Sequence, residues 1–306
     1  MNALVGLKSG GWNVALPTRY RESTRPAQQV QRVIQGDRFE SSAPTSPAPK
    51  AESAPVRTRS GYYDAVGDQT ASRKYYGDTA RFEAMAPAQL YDELSSLVGG
   101  THKPLDYDPE LYLYPEVDRH KDGNLYCIYS GDGPKLPTDI ADDKPLQEGE
   151  FNCEHVVPQS WFKKKKAPKG DLHHLYASQS ECNSLRGNAQ YSNDVDSGQP
   201  LLACGVLDQS DNEFEPKAGK GETARSVLYF LLRYPGVIGD NRQEYGPSDL
   251  PMLLQWHRDN PPTEYEQHRN QTIEKLQGNR NPLIDFPELA DRIDFQRGLG
   301  IVARKR

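Results

Sequence analysis

No stretch of this sequence approaches the ~18 consecutive apolar residues that a membrane-crossing helix requires. The start, MNALVGLKSGGWNVALPTRY over residues 1–20, also lacks the apolar run of about 7–15 residues that a secretory signal carries behind its basic head. Export by an ordinary signal peptide is therefore not expected. That leaves a cytoplasmic protein, a chain exported by another route, or a different true start. Cysteine is scarce. The four residues, Cys127, Cys153, Cys182 and Cys204, form no CxxC pair, and the chain is too long to need a disulfide scaffold. They read as buried free thiols. There is no internal repeat.

What is present is unevenly spread. Apolar residues make up 35% and mean hydropathy is −0.82, so the excess polarity belongs in tails or linkers. Residues 1–60 fit that role. They contain SSAPTSPAP over 41–49, a composition that cannot bury enough apolar surface to offset its ordering entropy. We read 1–60 as a disordered tail or linker and 61–306 as the folded domain. The net charge of −6 argues against a chain that coats a polyanion. Charge is local, however. Between Phe151 and Val195, six basic side chains face four acidic ones, a balance of +2 that suits a phosphate-binding face on an acidic body.

Order is expected from Tyr62–Tyr76 onward. Leu90, Leu94, Leu97 and Val98 fall on one helical face, with Pro87 in the first turn and Gly99-Gly100 as the stop. Leu125–Tyr129 follows the Asp122-Gly123-Asn124 turn and reads as a buried strand. The central block reads as strand (FNCEHVVP), lysine-rich loop, strand (DLHHLYASQ) and helix (SECNSLRGN). Pro158 closes the first strand, Ser178 or Ser180 caps the helix, and Gly187 ends it. Thr223–Tyr234 is apolar enough for a core helix, and Glu264–Gln277 is a second, ended by the turn at Gly278.

Hydrolysis of a phosphodiester needs a base for water, a cation to neutralise developing charge, and a donor that grips phosphate. The central block holds residues suited to each task. Histidine, whose ordinary pKa lies near neutrality, suits the first task, and His155 is the candidate. Glu154 and Asn183 offer oxygens to Mg²⁺, which keeps several waters and needs few protein ligands. Neighbours on a strand point to opposite faces, so Glu154 and His155 share a site only if the strand ends there. Taken singly, each residue has a plainer reading: a surface acid, a core histidine and an exposed helical amide.

Five blocks in series carry a resemblance. FNCEHVVPQSWF, DLHHLYASQSECNSLRGNAQYS, KGETARSVLYFLLRYPG, LLQWHRDNPPTEYEQHRN and QGNRNPLIDFPEL, over roughly residues 75–295, closely resemble the endonuclease I family of ββα-metal (His-Me finger) nucleases. The resemblance implies an α+β fold: a ββα-metal core at about 150–192, embedded in a mostly helical single domain. It implies His155 as general base, Glu154 and Asn183 as metal ligands, Mg²⁺ as cofactor with Mn²⁺ or Ca²⁺ substituting, and products bearing 5′-phosphate and 3′-hydroxyl ends. Some relatives grip phosphate with an arginine in the loop after the base. Gln159–Gly170 has none, so Arg186 is the expected substitute, with Lys163, Lys164, Lys165 and Lys166 as a diffuse alternative or simply a solvated loop. Phe286 stands where relatives often carry histidine.

His173 and His174, taken with Cys153 and Cys182, match no common zinc spacing. With Asp171 they read as groups that orient the site through hydrogen bonds. Arg225, Asn279, Arg280 and Asn281 match family blocks and read either as a substrate-groove wall or, for Arg225, as the partner of Glu222. The expected partners are DNA and/or RNA, no membrane, and an inhibitor or secretion partner, because a free nonspecific nuclease would damage its own cell. The resemblance suggests a secreted protein. The alternatives are a catalytically weak nucleic-acid-binding module of the same fold, and the same nuclease deployed as a toxin delivered by residues 1–60.

Overall fold

The computed structural model describes residues 62–131, 136–137, 151–193, 195, 199–201 and 204–300. The expected tail over 1–60 lies outside them. Order begins where the Asp64 carboxylate accepts from the Gly67 amide (2.9 Å) and starts helix α1 (Ala65–Tyr76). The single-turn α2 (Ala80–Ala84) leads into α3 (Pro87–Thr101), which buries Leu90, Tyr91, Leu94 and Val98 as its periodicity required. The expected stop at Gly99-Gly100 is corrected: the helix continues to Thr101, whose hydroxyl donates to the Leu97 carbonyl (2.9 Å). A helical glycine costs only about 1 kcal/mol, and the buried face of α3 outweighs that.

After a π-helical segment (Pro109–Val117), β1 (Asn124–Leu125) pairs antiparallel with β2 (Leu136–Pro137). The expected strand over Leu125–Tyr129 is also corrected. Only Asn124–Leu125 pairs as strand; Cys127 to Tyr129 are buried by side-chain packing while the chain turns back, with Gly131 N–H donating to Cys127 C=O (3.0 Å).

The central block has the expected order. It runs from β3 (Phe151–His155) through α4 (Lys166–Lys169) and a 3₁₀ turn (Leu172–His174) to β4 (Leu175–Gln179) and α5 (Ser180–Arg186). β3 and β4 are antiparallel, in register from Phe151↔Gln179 to His155↔Leu175. The N-cap of α5 is Gln179, with no side-chain cap, because the Ser178 hydroxyl is buried against Cys127 and its own chain. Gly187 (φ 54°) ends α5 as expected. A third sheet, of four strands, has strand order β5 (Gln190–Tyr191), β8 (Glu213–Pro216), β7 (Gly205–Asp208), β6 (Gln199–Leu201). A disulfide joins Cys182 in α5 to Cys204 at the start of β7, while Cys127 and Cys153 are buried free thiols. The expectation of four free thiols is thus half corrected. Folding brings the 182 and 204 Cα atoms within 5.7 Å, a proximity that a spacing of 22 residues does not reveal.

Helix α6 (Lys220–Arg233) is the apolar centre and is buried from Thr223 through Leu232. It packs against α3 and α7 (Leu250–Asp259). Tyr91 and Ser95 of α3 donate to the Leu231 and Leu232 carbonyls (both 2.7 Å), filling acceptors left open at the end of α6. Helix α8 (Glu264–Gln277) opens with a Thr263–Glu266 capping box and ends on Gly278 in the left-handed region. Short α9 (Pro282–Asp285) and two 3₁₀ turns follow. Ser226 of α6 donates to the His173 carbonyl (2.9 Å), tying the core helix to the turn that feeds β4. These elements make a mixed α+β architecture.

Candidate active site

β3 ends at His155, the termination that the sequence required if Glu154 and His155 were to serve one site. Their side chains still leave the strand in different directions and meet different partners. Glu154 is buried against α5 and the core. Its Oε1 accepts from Arg186 Nη1 (2.9 Å) and from the Tyr129 hydroxyl, which is in turn 2.7 Å from the Tyr191 hydroxyl. Arg186 also donates to the carbonyls of His155 (3.1 Å) and Val156 (2.8 Å) and stacks over the Tyr191 ring (4.7 Å). Only 2% of Arg186 is exposed. The expectation that it grips phosphate is corrected: its fork is spent on β3, and it acts as a clamp between α5 and the strand that carries the site.

Asn183 stands one turn before Arg186, on the same face of α5. Its Nδ2 donates to Asn152 Oδ1 (2.8 Å) and to the Cys153 carbonyl (3.2 Å), which orients the amide. The structure thus brings Asn183, Arg186, Glu154 and the end of β3 together. Asn183 is half-buried, in contrast to Glu154.

The His155 ring lies among Tyr107 (5.2 Å between centroids), His174 (5.6 Å) and Phe162 (6.3 Å). Burial, helped by His174, lowers its pKa to about 3, so the imidazole is neutral at neutral pH. Its Nε2 donates to the Lys169 carbonyl (3.0 Å). A neutral imidazole has one N–H, so Nδ1 carries the lone pair, and the Gln159 side-chain amide faces it at 3.4 Å. Gln159 draws no attention in the sequence, since a polar residue four positions past a histidine carries no chemical signal.

Lys163 to Lys166 are exposed on the loop between β3 and β4. Lys163 (φ 56°) and Lys164 (φ 53°) both adopt the left-handed region, an uncommon conformation for non-glycine residues. Lys166 pairs with Asp106 (2.6 Å), and the Lys169 ammonium sits 4.9 Å from the Tyr107 ring centroid.

Behind the site lies a buried polar network. Asp171 accepts from Tyr229 (3.0 Å), Tyr234 (2.9 Å), Gln277 (2.8 Å) and the His173 amide (3.1 Å). Burial raises its pKa, but His102, His173, His174 and Gln277 more than offset that and hold it at about 2. His174 Nε2 bonds the Pro168 carbonyl (2.6 Å) and His173 Nε2 that of Asn279 (3.3 Å).

Four other expected positions lie in the interior rather than on a groove wall. Arg225 makes a bidentate pair with Glu266 of α8 (2.6 and 2.7 Å), not with Glu222. Asn279 bonds Tyr229 (2.6 Å), and Arg280 pairs with Asp68, Glu274 and Asp285 (2.6–2.8 Å). Asn281 caps α9 through Leu283 N–H (3.0 Å) and donates to the Arg225 carbonyl (3.3 Å). Phe286 fills an aromatic cluster with Tyr76 and Phe82.

Among the described residues, no three His, Cys, Asp or Glu side chains converge as a metal cage. The expected ligands, the Glu154 carboxylate and the Asn183 amide oxygen, belong to side chains bonded along the end of β3 and α5 and are both hard oxygen donors. They fit a hard divalent cation that completes its shell with water.

Comparison with known proteins places the chain in a family. The family model for Endonuclease I matches residues 86–288. The chain is 30% identical over 239 residues to an extracellular ribonuclease of Bacillus subtilis strain 168, covering 71% of this chain and 80% of that protein. It is 35% identical to an extracellular ribonuclease of Bacillus amyloliquefaciens over 47% of this chain and 54% of the relative. It is 28% identical to an extracellular deoxyribonuclease of Aeromonas hydrophila over 52% and 79%.

Proposed function

Since the chain belongs to the endonuclease I family and is therefore a nucleic-acid hydrolase, we propose that it is a divalent-metal-dependent, sequence-nonspecific endonuclease with His155 as general base. The observation that carries this reading is the neutral imidazole: Nε2–H is fixed on the Lys169 carbonyl and the Nδ1 lone pair faces the start of the lysine loop. In this reading Nδ1 takes the proton of the attacking water. The imidazolium so formed strengthens its bond to the Lys169 carbonyl, because a charged donor bonds more tightly than a neutral one. Asn183, with Glu154, would hold Mg²⁺, for which Mn²⁺ or Ca²⁺ could substitute. The ion supplies charge neutralisation at the phosphorus and the leaving oxygen. Arg186 keeps Glu154 and the end of β3 in place. With its fork engaged, the exposed Lys163, Lys164 and Lys165, joined by Lys166 on leaving Asp106, would meet phosphates on either side of the cut. Such contacts fix register without reading sequence. Attack in line with the 3′ oxygen leaves 5′-phosphate and 3′-hydroxyl ends.

Of the three relatives described above, two are named for RNA and one for DNA, and we propose that both serve as substrates. Their names also place them outside the cell. The Cys182–Cys204 disulfide suits the same oxidising surroundings. The test is digestion of supercoiled plasmid and of RNA with Mg²⁺ and with chelator. Both substrates should be cut with Mg²⁺, giving ends that a 5′-phosphate-dependent ligase rejoins, and neither should be cut with chelator. Undiminished cutting in chelator contradicts the reading.

A further inference from the structure

Both ring nitrogens of His155 are held by one loop. Lys169, at its far end, accepts from Nε2 (3.0 Å), and Gln159, at its near end, faces Nδ1 (3.4 Å). The two ends are anchored differently. The Lys169 end is wedged: Gly170 packs so closely on the Leu105 carbonyl oxygen that a Cβ there would collide with it. Both ends are tied to the lysine backbone, Gln159 through its carbonyl to the Lys164 amide (2.9 Å) and Lys169 through its amide to the Lys165 carbonyl (3.1 Å), so the wedge at Gly170 is what sets the Lys169 end apart. Between them the chain is tightly turned. Trp161 N–H donates to Pro158 C=O (3.0 Å), Lys163 to Ser160 (3.2 Å) and Lys165 to Phe162 (3.2 Å). A segment wound this tightly transmits a displacement of its tip instead of absorbing it.

We propose that Gln159 is a positioning residue that occupies the lone pair of the base until nucleic acid engages the lysine loop. The inference rests on His155 being the base. One lone pair accepts one strong donor, so the Gln159 amide and the attacking water compete for Nδ1. At 3.4 Å the amide bond is long, hence weak and readily displaced. Phosphates gripping Lys163 and Lys164 act on the peptide that carries Gln159 and draw its amide off Nδ1. Nε2 stays fixed on Lys169, so the ring keeps its orientation and tautomer while its reactive nitrogen opens. A substrate without flanking phosphates leaves the cap in place. The enzyme therefore spends its base on polymers in preference to fragments.

The test compares turnover of a long polymer with that of a dinucleotide, which has no flanking phosphate for the lysines to grip, using wild type and Gln159→Ala in Mg²⁺. Removing the cap should raise kcat on the dinucleotide at least about threefold, and the polymer-to-dinucleotide kcat ratio should fall by a similar factor. A second reading uses wild-type protein labelled with ¹⁵N at histidine, without metal. Added oligonucleotide should move the His155 Nδ1 resonance toward that of an unbonded nitrogen. A dinucleotide kcat that stays level or drops in step with the polymer value overturns the proposal, as does an Nδ1 resonance indifferent to oligonucleotide. His155→Ala separates the two levels of failure. If that variant keeps wild-type turnover, the base assignment falls and this inference with it; if it is inactive while the ratio stays put, only the role of Gln159 falls.

Discussion

Arg186 and Glu154 form an ion pair whose side chains are 1% and 2% exposed, and that burial decides what each residue is for. A charge removed from water survives only with a partner, and breaking such a pair typically costs about 3–5 kcal/mol. Arg186→Ala should therefore lower unfolding stability by several kcal/mol in a urea titration. A loss of activity with stability changed by less than about 1 kcal/mol would instead make Arg186 a substrate contact. Glu154, His155 and Asn183 draw notice in the sequence because the proposed reaction calls for a base and oxygen ligands in one block, and the structure sets them on β3 and α5. Arg186 misleads because a sequence shows that an arginine can fork onto phosphate, but not whether its fork is already taken. Arg225, Asn279, Arg280 and Asn281 mislead for the same reason: polar residues in recognisable blocks, which the fold turns inward to join α8, α1 and α6.

At the scale of the element, the loop between β3 and β4 has two tasks, holding the imidazole and presenting lysines. Replacing Lys163–Lys166 by alanine should raise KM far more than it lowers kcat. It should also flatten the dependence of KM on salt, by roughly 0.9 in log–log slope for each duplex phosphate that is no longer neutralised. An unchanged slope would leave the lysines as a solvated loop. Elements with strong caps and long apolar periods are legible: α8 runs over Glu264–Gln277 as read, and the central block has its expected order. The segment after Leu125 is not, since an apolar run looks the same whether it is buried as a strand or as a turn under packing. The disulfide is hidden because its partners come from different elements.

At the scale of the whole molecule, the seven histidines share one property: burial lowers the pKa of every one, to about 4 for His120 and His173 and about 3 for His155. An unfolded chain takes up these protons near pH 6.5, whereas the folded chain resists each of them to lower pH, His120 and His173 until about 4. The unfolded state then binds more protons, so stability falls as pH drops below 6.5. His173 alone contributes a loss of at most roughly 3 kcal/mol once pH is below 4, at about 1.4 kcal/mol per pH unit. Asp171 acts lower still: its stabilisation is full above about 3.9 and is lost as pH falls toward 2. Urea midpoints should therefore be flat above about pH 7.5 and drop steeply between 6.5 and 4. A midpoint constant from pH 7 to 4.5 would mean that the imidazoles are not shielded as described. The net charge of −6 is legible as an obstacle to coating a polyanion, and the lysine loop answers it locally.

The central claim, that the imidazole at position 155 accepts the proton of the attacking water, is tested most directly by His155→Gly with and without free imidazole. Without it, single-turnover cleavage should fall by about 10²–10⁴-fold, the usual cost of losing a positioned acid–base group, and added imidazole should restore part of the rate in proportion to its uncharged fraction. Cleavage at the parental rate with no imidazole present would contradict the claim.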